Sequence, residues 1–146
     1  MTIWKIAATC FYLGKLPFAP GSWGSLGALV LWLFLPVSYL VHSVVISVLF
    51  ILGVYASKIV AEDLDNHDPS EIVIDEAVGM GISLFMLPHS IELYFLAFFL
   101  FRFFDIFKPS FIYSIQNLPG GWGIMLDDVL AGFFTLALVS GYSSLL

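Results

Sequence analysis

No charged side chain occurs between Leu16 and Ser57, and none between Val129 and Leu146. A helix needs about 20 predominantly apolar residues to cross the ~30 Å hydrocarbon core of a bilayer, so the first run has room for two spans and the second for one. Composition agrees. With 60% hydrophobic, 17% aromatic and only 11% charged residues, the chain has too little polar surface to cover a soluble globule. The expectation is an all-α, membrane-embedded helical bundle of about six helices, and a length of 146 residues makes it a single domain spanning 1–146.

The net charge of −6 is concentrated, because ten of the eleven acids lie outside the turn at Pro88, in clusters between Glu62 and Asp128. With five basic residues and no basic stripe, nucleic acid is not a partner. Cys10 is the only cysteine, which rules out a disulfide framework and a cysteine-rich metal site. Met1–Lys15 has an early lysine and a short apolar run but no small-residue cleavage site after it, so it reads as a retained first helix.

Turn chemistry divides the chain. Thr2–Leu13 reads as a short amphipathic helix, followed by a turn-rich loop from Gly14 to Ser22. Gly21 or Ser22 caps a helix to Leu35, Pro36 reverses the chain, and a long helix runs from about Val37 to Asp65. Asp68-Pro69-Ser70-Glu71 has the form of a capping box with proline in the first helical position, predicting a helix from Pro69 to Leu87 that Pro88 ends. After the Pro88-His89-Ser90 turn a helix returns from Ile91 to about Lys108. Ser110–Met125 reads as a loop, and Asp127 or Asp128 as the cap of the last helix. Lys5, Lys15, Lys58, Arg102 and Lys108 fall on one side of this zigzag, which the positive-inside rule makes cytoplasmic.

One carboxylate pair is out of place in so apolar a chain. Asp75-Glu76 falls inside the helix expected from Pro69, with Asp75, Gly79 and Ser83 on one face and small residues that admit a neighbouring helix. An antiparallel hairpin about Pro88-His89 sets Asp75 opposite Arg102 and Ile72 opposite Asp105, with Arg102 and Asp105 one turn apart. The apolar stretches between these charges, Ala77–Leu87 and Ile91–Phe101, are each only roughly 16 Å of helix, so the charged cluster is expected to be sunk into the bundle, facing helices.

Asp75, Glu76, Asp105, Asp127 and Asp128 against Arg102 and Lys108 leave a surplus of negative charge that a divalent cation would neutralise, and hard oxygen ligands suggest Mg²⁺. The plainer alternative is an intramembrane Asp75–Arg102 ion pair with Asp127-Asp128 serving only as a helix cap. His42, His67 and His89 have no partner at ligand spacing. Two glycine-bearing loop-to-helix junctions, one with Gly120 and Gly121 and one with Gly21, Ser22 and Ser25, would let the backbone approach an oxyanion. Together these features describe a phosphate site that uses metal. Cys10 has no arginine six residues later and there is no Walker lysine loop, which excludes two familiar phosphate-handling classes.

Three stretches, PFAPGSWGSLGAL at Pro17–Leu29, DPSEIVIDEAVGMGIS at Asp68–Ser83, and FRFFDIFKPSFI with LPGGWGIMLDDVLAG between Phe101 and Gly132, closely resemble the phosphatidylglycerophosphatase A family, in order and over most of the chain. Where that family usually has a second proline two residues after Lys108-Pro109, this chain has Phe111. The resemblance implies a magnesium-dependent, multi-pass lipid phosphatase of the bacterial inner membrane, with its active site facing the cytoplasm. It would convert phosphatidylglycerophosphate to phosphatidylglycerol and phosphate within the lipid bilayer. It also implies a bundle around one central helix, for which Pro69–Leu87 is the choice. Asp75, Glu76, Asp105, Asp127 and Asp128 would then be metal ligands or water-positioning bases, and Arg102 and Lys108 would hold phosphate oxygens. Direct attack by water and a covalent aspartyl-phosphate both remain open. Two other classes use intramembrane carboxylates as well: an ion-coupled carrier, against which the chain shows no internal repeat, and a structural membrane subunit.

Overall fold

The computed structural model describes residues 2–16, 18, 20–65, 71–107, 115 and 121–145. Among them are six α-helices, one short 3-10 turn and no strand: α1 (Thr2–Ala8), the 3-10 turn Leu13–Lys15, α2 (Pro20–Phe34), α3 (Tyr39–Asp63), α4 (Ile74–Ser83), α5 (Ile91–Ile106) and α6 (Gly121–Ser144). The all-helical bundle read from the sequence is the fold observed. Its first helix is shorter than the expected Thr2–Leu13. Cys10, Phe11 and Tyr12 take left-handed backbone conformations, and Thr9 closes that turn by donating to the Lys5 carbonyl at 2.7 Å and accepting from the Tyr12 N–H at 3.1 Å.

α4 is the centre. It packs against α2, α3, α5 and α6, and every residue in it except Glu76 is buried. Its bounds differ from the expected Pro69–Leu87. Asp68 and Pro69 lie outside the described residues, but Glu71 is in a turn and Ile72 and Val73 are not helical. The Val73 N–H donates to the Ala8 carbonyl at 2.9 Å, tying this approach to the end of α1, so the helix begins only at Ile74. At the other end the turn tightens at Leu84, and Met86 is left-handed with its N–H donating to His42 Nδ1 at 3.1 Å. His42 is fully buried in this role, a partner that ligand spacing could not reveal.

Glycines set how closely the helices cross. A Cβ on Gly79 would lie 2.8 Å from the Asp128 carbonyl oxygen and press into the Phe101 ring, and one on Gly132 would lie 2.6 Å from the Gly79 carbonyl oxygen. α4 and α6 therefore meet backbone to backbone beside the acids, the close approach that small residues permit between helices in a membrane. Gly79→Val is expected to cost about 1–3 kcal/mol through overpacking, read as a lower unfolding midpoint in detergent. An unchanged midpoint would contradict this crossing.

α3 and α6 are long and apolar enough to cross a membrane, with mean hydropathies of 2.3 and 1.7 over their most apolar windows. Only 22% of that window in α3 is buried inside the protein. A core helix of a soluble protein would be mostly covered, whereas Tyr39, Leu40, Val44, Val48, Ile51 and Tyr55 face outward. The chain is a membrane protein whose outer apolar faces meet lipid. α4, with ten residues, is about 15 Å long, half the hydrocarbon thickness, and is enclosed by the other helices.

Candidate active site

Four helix ends converge. Asp75 and Glu76 stand in the first turn of α4, Arg102 and Asp105 in the last turns of α5, Asp127 and Asp128 about two turns into α6, and Gly21 in the first turn of α2. Two of these placements reverse the sequence reading. The acid pair expected deep in its helix is near an N-terminus, where unpaired N–H groups and the helix dipole favour negative charge. Asp127 and Asp128, expected as a cap, are interior positions, because α6 begins at Gly121 instead of after Met125.

That early start has a packing cause. A Cβ on Gly121 would collide with the Val54 backbone carbonyl, so the first turn of α6 lies directly on α3. Gly121 thus has a structural neighbour of its own, away from the acids. Gly21 is different: a Cβ there would come within 2.8 Å of Glu76 Oε1 and 2.9 Å of Arg102 Nη1, so glycine at this position lets the charged groups pack directly against the first turn of α2. Ser22 sits half-buried beside it, and buried Ser25 donates to the Gly21 carbonyl at 2.9 Å, bracing that turn. Lys108 and Gly120, the other expected phosphate contacts, and His67 lie outside the described residues.

The described ion pairs of Arg102 are with Asp105, by a short hydrogen bond one turn along α5, and with Glu76 at 4.0 Å. The hairpin register anticipated Asp75 opposite Arg102; the arginine instead meets the neighbouring acid. Asp75 turns toward α6, where a carboxyl oxygen lies within 4.8 Å of oxygens of Asp127 and Asp128.

Two groups of three carboxylates result. Oxygens of Asp75, Asp127 and Asp128 lie within 4.8 Å of one another, as do oxygens of Glu76, Asp105 and Asp128, so Asp128 belongs to both. Asp128 is 1% exposed. Asp75 Oδ1, Glu76 Oε2 and Asp128 Oδ2 are buried and accept no hydrogen bond from the protein. Buried carboxylates this close are costly unless something cationic satisfies them. Arg102 is a single charge and leans to one side. Burial raises the Asp75 carboxyl well above the usual range and pushes Glu76 up to about 7, with Asp105 adding to the rise at Glu76 and Arg102 opposing it. An all-oxygen donor set with unpartnered atoms on Asp75, Glu76 and Asp128 fits a hard divalent cation, and either group, or both through Asp128, could hold one.

The arrangement as a whole places carboxylate oxygens at a spacing that could hold a metal ion, with one guanidinium beside them. No solved structure matches the chain. The family model described as Phosphatidylglycerophosphatase A matches residues 6–143. Two proteins named Phosphatidylglycerophosphatase A are similar to it: one from Escherichia coli K12, 37% identical, covering 93% of this chain and 81% of the relative, and one from Haemophilus influenzae Rd, 40% identical, covering 92% and 85%. A Bacteroides thetaiotaomicron protein named as a candidate phosphatidylinositol-3-phosphatase is 37% identical, covering 92% of this chain and 90% of its own length. On the family match and on these relatives, the chain belongs to the phosphatidylglycerophosphatase A family.

Proposed function

We propose that the chain is a magnesium-dependent lipid phosphatase that hydrolyses the terminal phosphate monoester of phosphatidylglycerophosphate, giving phosphatidylglycerol and phosphate. The observation that carries the reading is the pair of three-carboxylate groups sharing Asp128 beside Arg102, in a chain of this family. Asp75, Glu76, Asp105, Asp127 and Asp128 would divide between ligands of the cation and a water-positioning base. Bound Mg²⁺ supplies neutralisation of phosphoryl oxygens and a more acidic water. Arg102 presents a planar donor fork to the phosphate and steadies the charge that grows on it in the transition state. The missing Cβ at Gly21 lets Glu76 and Arg102 pack against α2, which fixes the guanidinium in place beside the acids. A carboxylate of the cluster outside the metal's coordination takes the proton from the attacking water.

The whole chain, residues 1–146, acts as one multi-pass unit of the bacterial inner membrane, with the acid-bearing helix ends toward the cytoplasm. The basic residues Lys58 and Arg102 mark that side. The name of the Bacteroides relative favours a second substrate, a phosphoinositide carrying a 3-phosphate, which shares the lipid phosphate monoester.

Purified protein in detergent, given each lipid with Mg²⁺ or with chelator, tests the proposal. Phosphate release from phosphatidylglycerophosphate that chelator abolishes is expected. Preference for the phosphoinositide would reassign the substrate, and no release from either lipid would leave the carrier and structural-subunit readings in its place.

A further inference from the structure

A second feature borders the acid cluster. An apolar cavity of about 280 Å³ lies between α1, α2, α3 and α4, with Cys10, Gly24, Gly27, Leu49, Leu52 and Ile74 in its wall and no charged side chain. Ile74 directly precedes Asp75 in α4. Along α2 the glycines at i, i+3 and i+6 connect the two places: Gly21 faces Glu76 and Arg102, Gly24 lies on Val73, and Gly27 lines the cavity beside Leu13. Six residues separate Gly21 from Gly27, roughly 9 Å of helix.

Depth identifies the occupant. Leu49 and Leu52 are at the middle of the α3 span, where hydrocarbon lies, whereas Asp75, Glu76 and Asp105 are at the ends of their helices. At the rim Leu31 and Phe11 are exposed toward lipid. An apolar cavity gives water no hydrogen-bonding partners. Its volume is just under the ~300–1,000 Å³ of pockets that enclose a drug-sized ligand, which suits a length of chain and not a whole lipid. We propose that this cavity seats the upper part of one acyl chain of the lipid whose phosphate is held at Arg102 and the acid cluster. This assignment rests on the phosphatase reading. It makes Gly24 and Gly27 determinants of lipid-tail recognition, because side chains there would occupy the slot.

The test compares kcat/KM in detergent for two substrates with the same headgroup, one with long acyl chains and one with six-carbon chains too short to fill the slot. Gly27→Leu points its side chain into the cavity. Its Cβ meets only the end of the Leu13 side chain, at 2.7 Å, which can swing aside. Leu52→Trp fills the same space from α3, in case the first variant folds poorly. Each is expected to lower kcat/KM for the long-chain lipid about tenfold, from lost burial of a few methylenes, while leaving the short-chain lipid within about twofold of wild type. Ile51→Trp, which fills the separate groove of about 560 Å³ beside Phe50 and Trp122, should discriminate between neither.

Equal losses on both substrates, or no loss in either cavity variant, would overturn the assignment while leaving the phosphatase reading intact. A chain-selective loss in Ile51→Trp alone would move the tail to the other groove. Wild-type protein releasing phosphate from neither substrate would overturn the phosphatase reading and this assignment with it.

Discussion

Asp128→Asn is expected to abolish phosphate release, by a factor of at least about 10³, corresponding to roughly 4 kcal/mol of transition-state stabilisation lost with the cation. Asp128 is singled out because its carboxylate belongs to both groups of three acids. Asp75→Asn should also inactivate, but it weakens only one group. Stability should move the other way. Without metal, buried carboxylates at this spacing repel, so replacing one by a neutral isostere raises the unfolding midpoint in chelator. Mg²⁺ is expected to stabilise the wild-type protein to the extent that it binds the folded state, and that increment should vanish in the variant. Thermal unfolding of both proteins with and without Mg²⁺ reads all of this. A variant that keeps near-normal turnover and an unchanged magnesium increment would make Asp128 a packing residue.

Much of this site was legible because membrane helices make charge conspicuous. The absence of charge in Leu16–Ser57 and Val129–Leu146 located α3 and α6, although the first run, with room for two spans, holds one described helix long enough to cross because α2 has 15 residues. The acids that broke the apolar pattern at Asp75, Glu76, Asp105, Asp127 and Asp128 are those the fold gathers. The central place of α4 came from the family resemblance, and its small residues marked it only as a helix that admits close neighbours. What misled was local punctuation. The Asp-Pro-Ser-Glu signature placed a helix start before Glu71, but a tertiary bond from Val73 to Ala8 holds that approach out of the helix. The Gly-Gly-Trp-Gly run read as loop because glycine usually breaks helices. In this bundle glycine lets helix backbones touch, as Gly121 does on Val54, so the helix begins there and carries Asp127 and Asp128 into its interior. Neither effect has a signal within a few residues of sequence, since each depends on what lies across the interface.

Asp105 was anticipated as a neighbour of Arg102 one turn along its own helix, but its partner on α4 was missed for a related reason. An antiparallel register fixes depth, but the rotation of α4 decides which of two adjacent acids faces the arginine. With α4 starting at Ile74, Glu76 takes that direction and Asp75 points to α6.

Arg102→Lys is therefore the sharper probe of what the arginine does. Lysine preserves the positive charge beside Glu76 and Asp105, so a counterion role is retained and folding should be little changed. It does not preserve the planar fork, two arms of which crowd the space left by Gly21. Turnover is expected to fall about 10²-fold, the order seen when one preorganised transition-state donor is removed, with the unfolding midpoint near that of wild type. Arg102→Gln separates the roles further. It removes the cation that competes with metal for Glu76 and Asp105, so Mg²⁺ should bind more tightly while turnover drops further. If Arg102 served only to balance buried acids, the tightly bound metal would replace it, and the glutamine variant would regain activity at high Mg²⁺. Turnover that stays low under saturating Mg²⁺ assigns the guanidinium to the phosphate, and restoration would confine it to the structural pair.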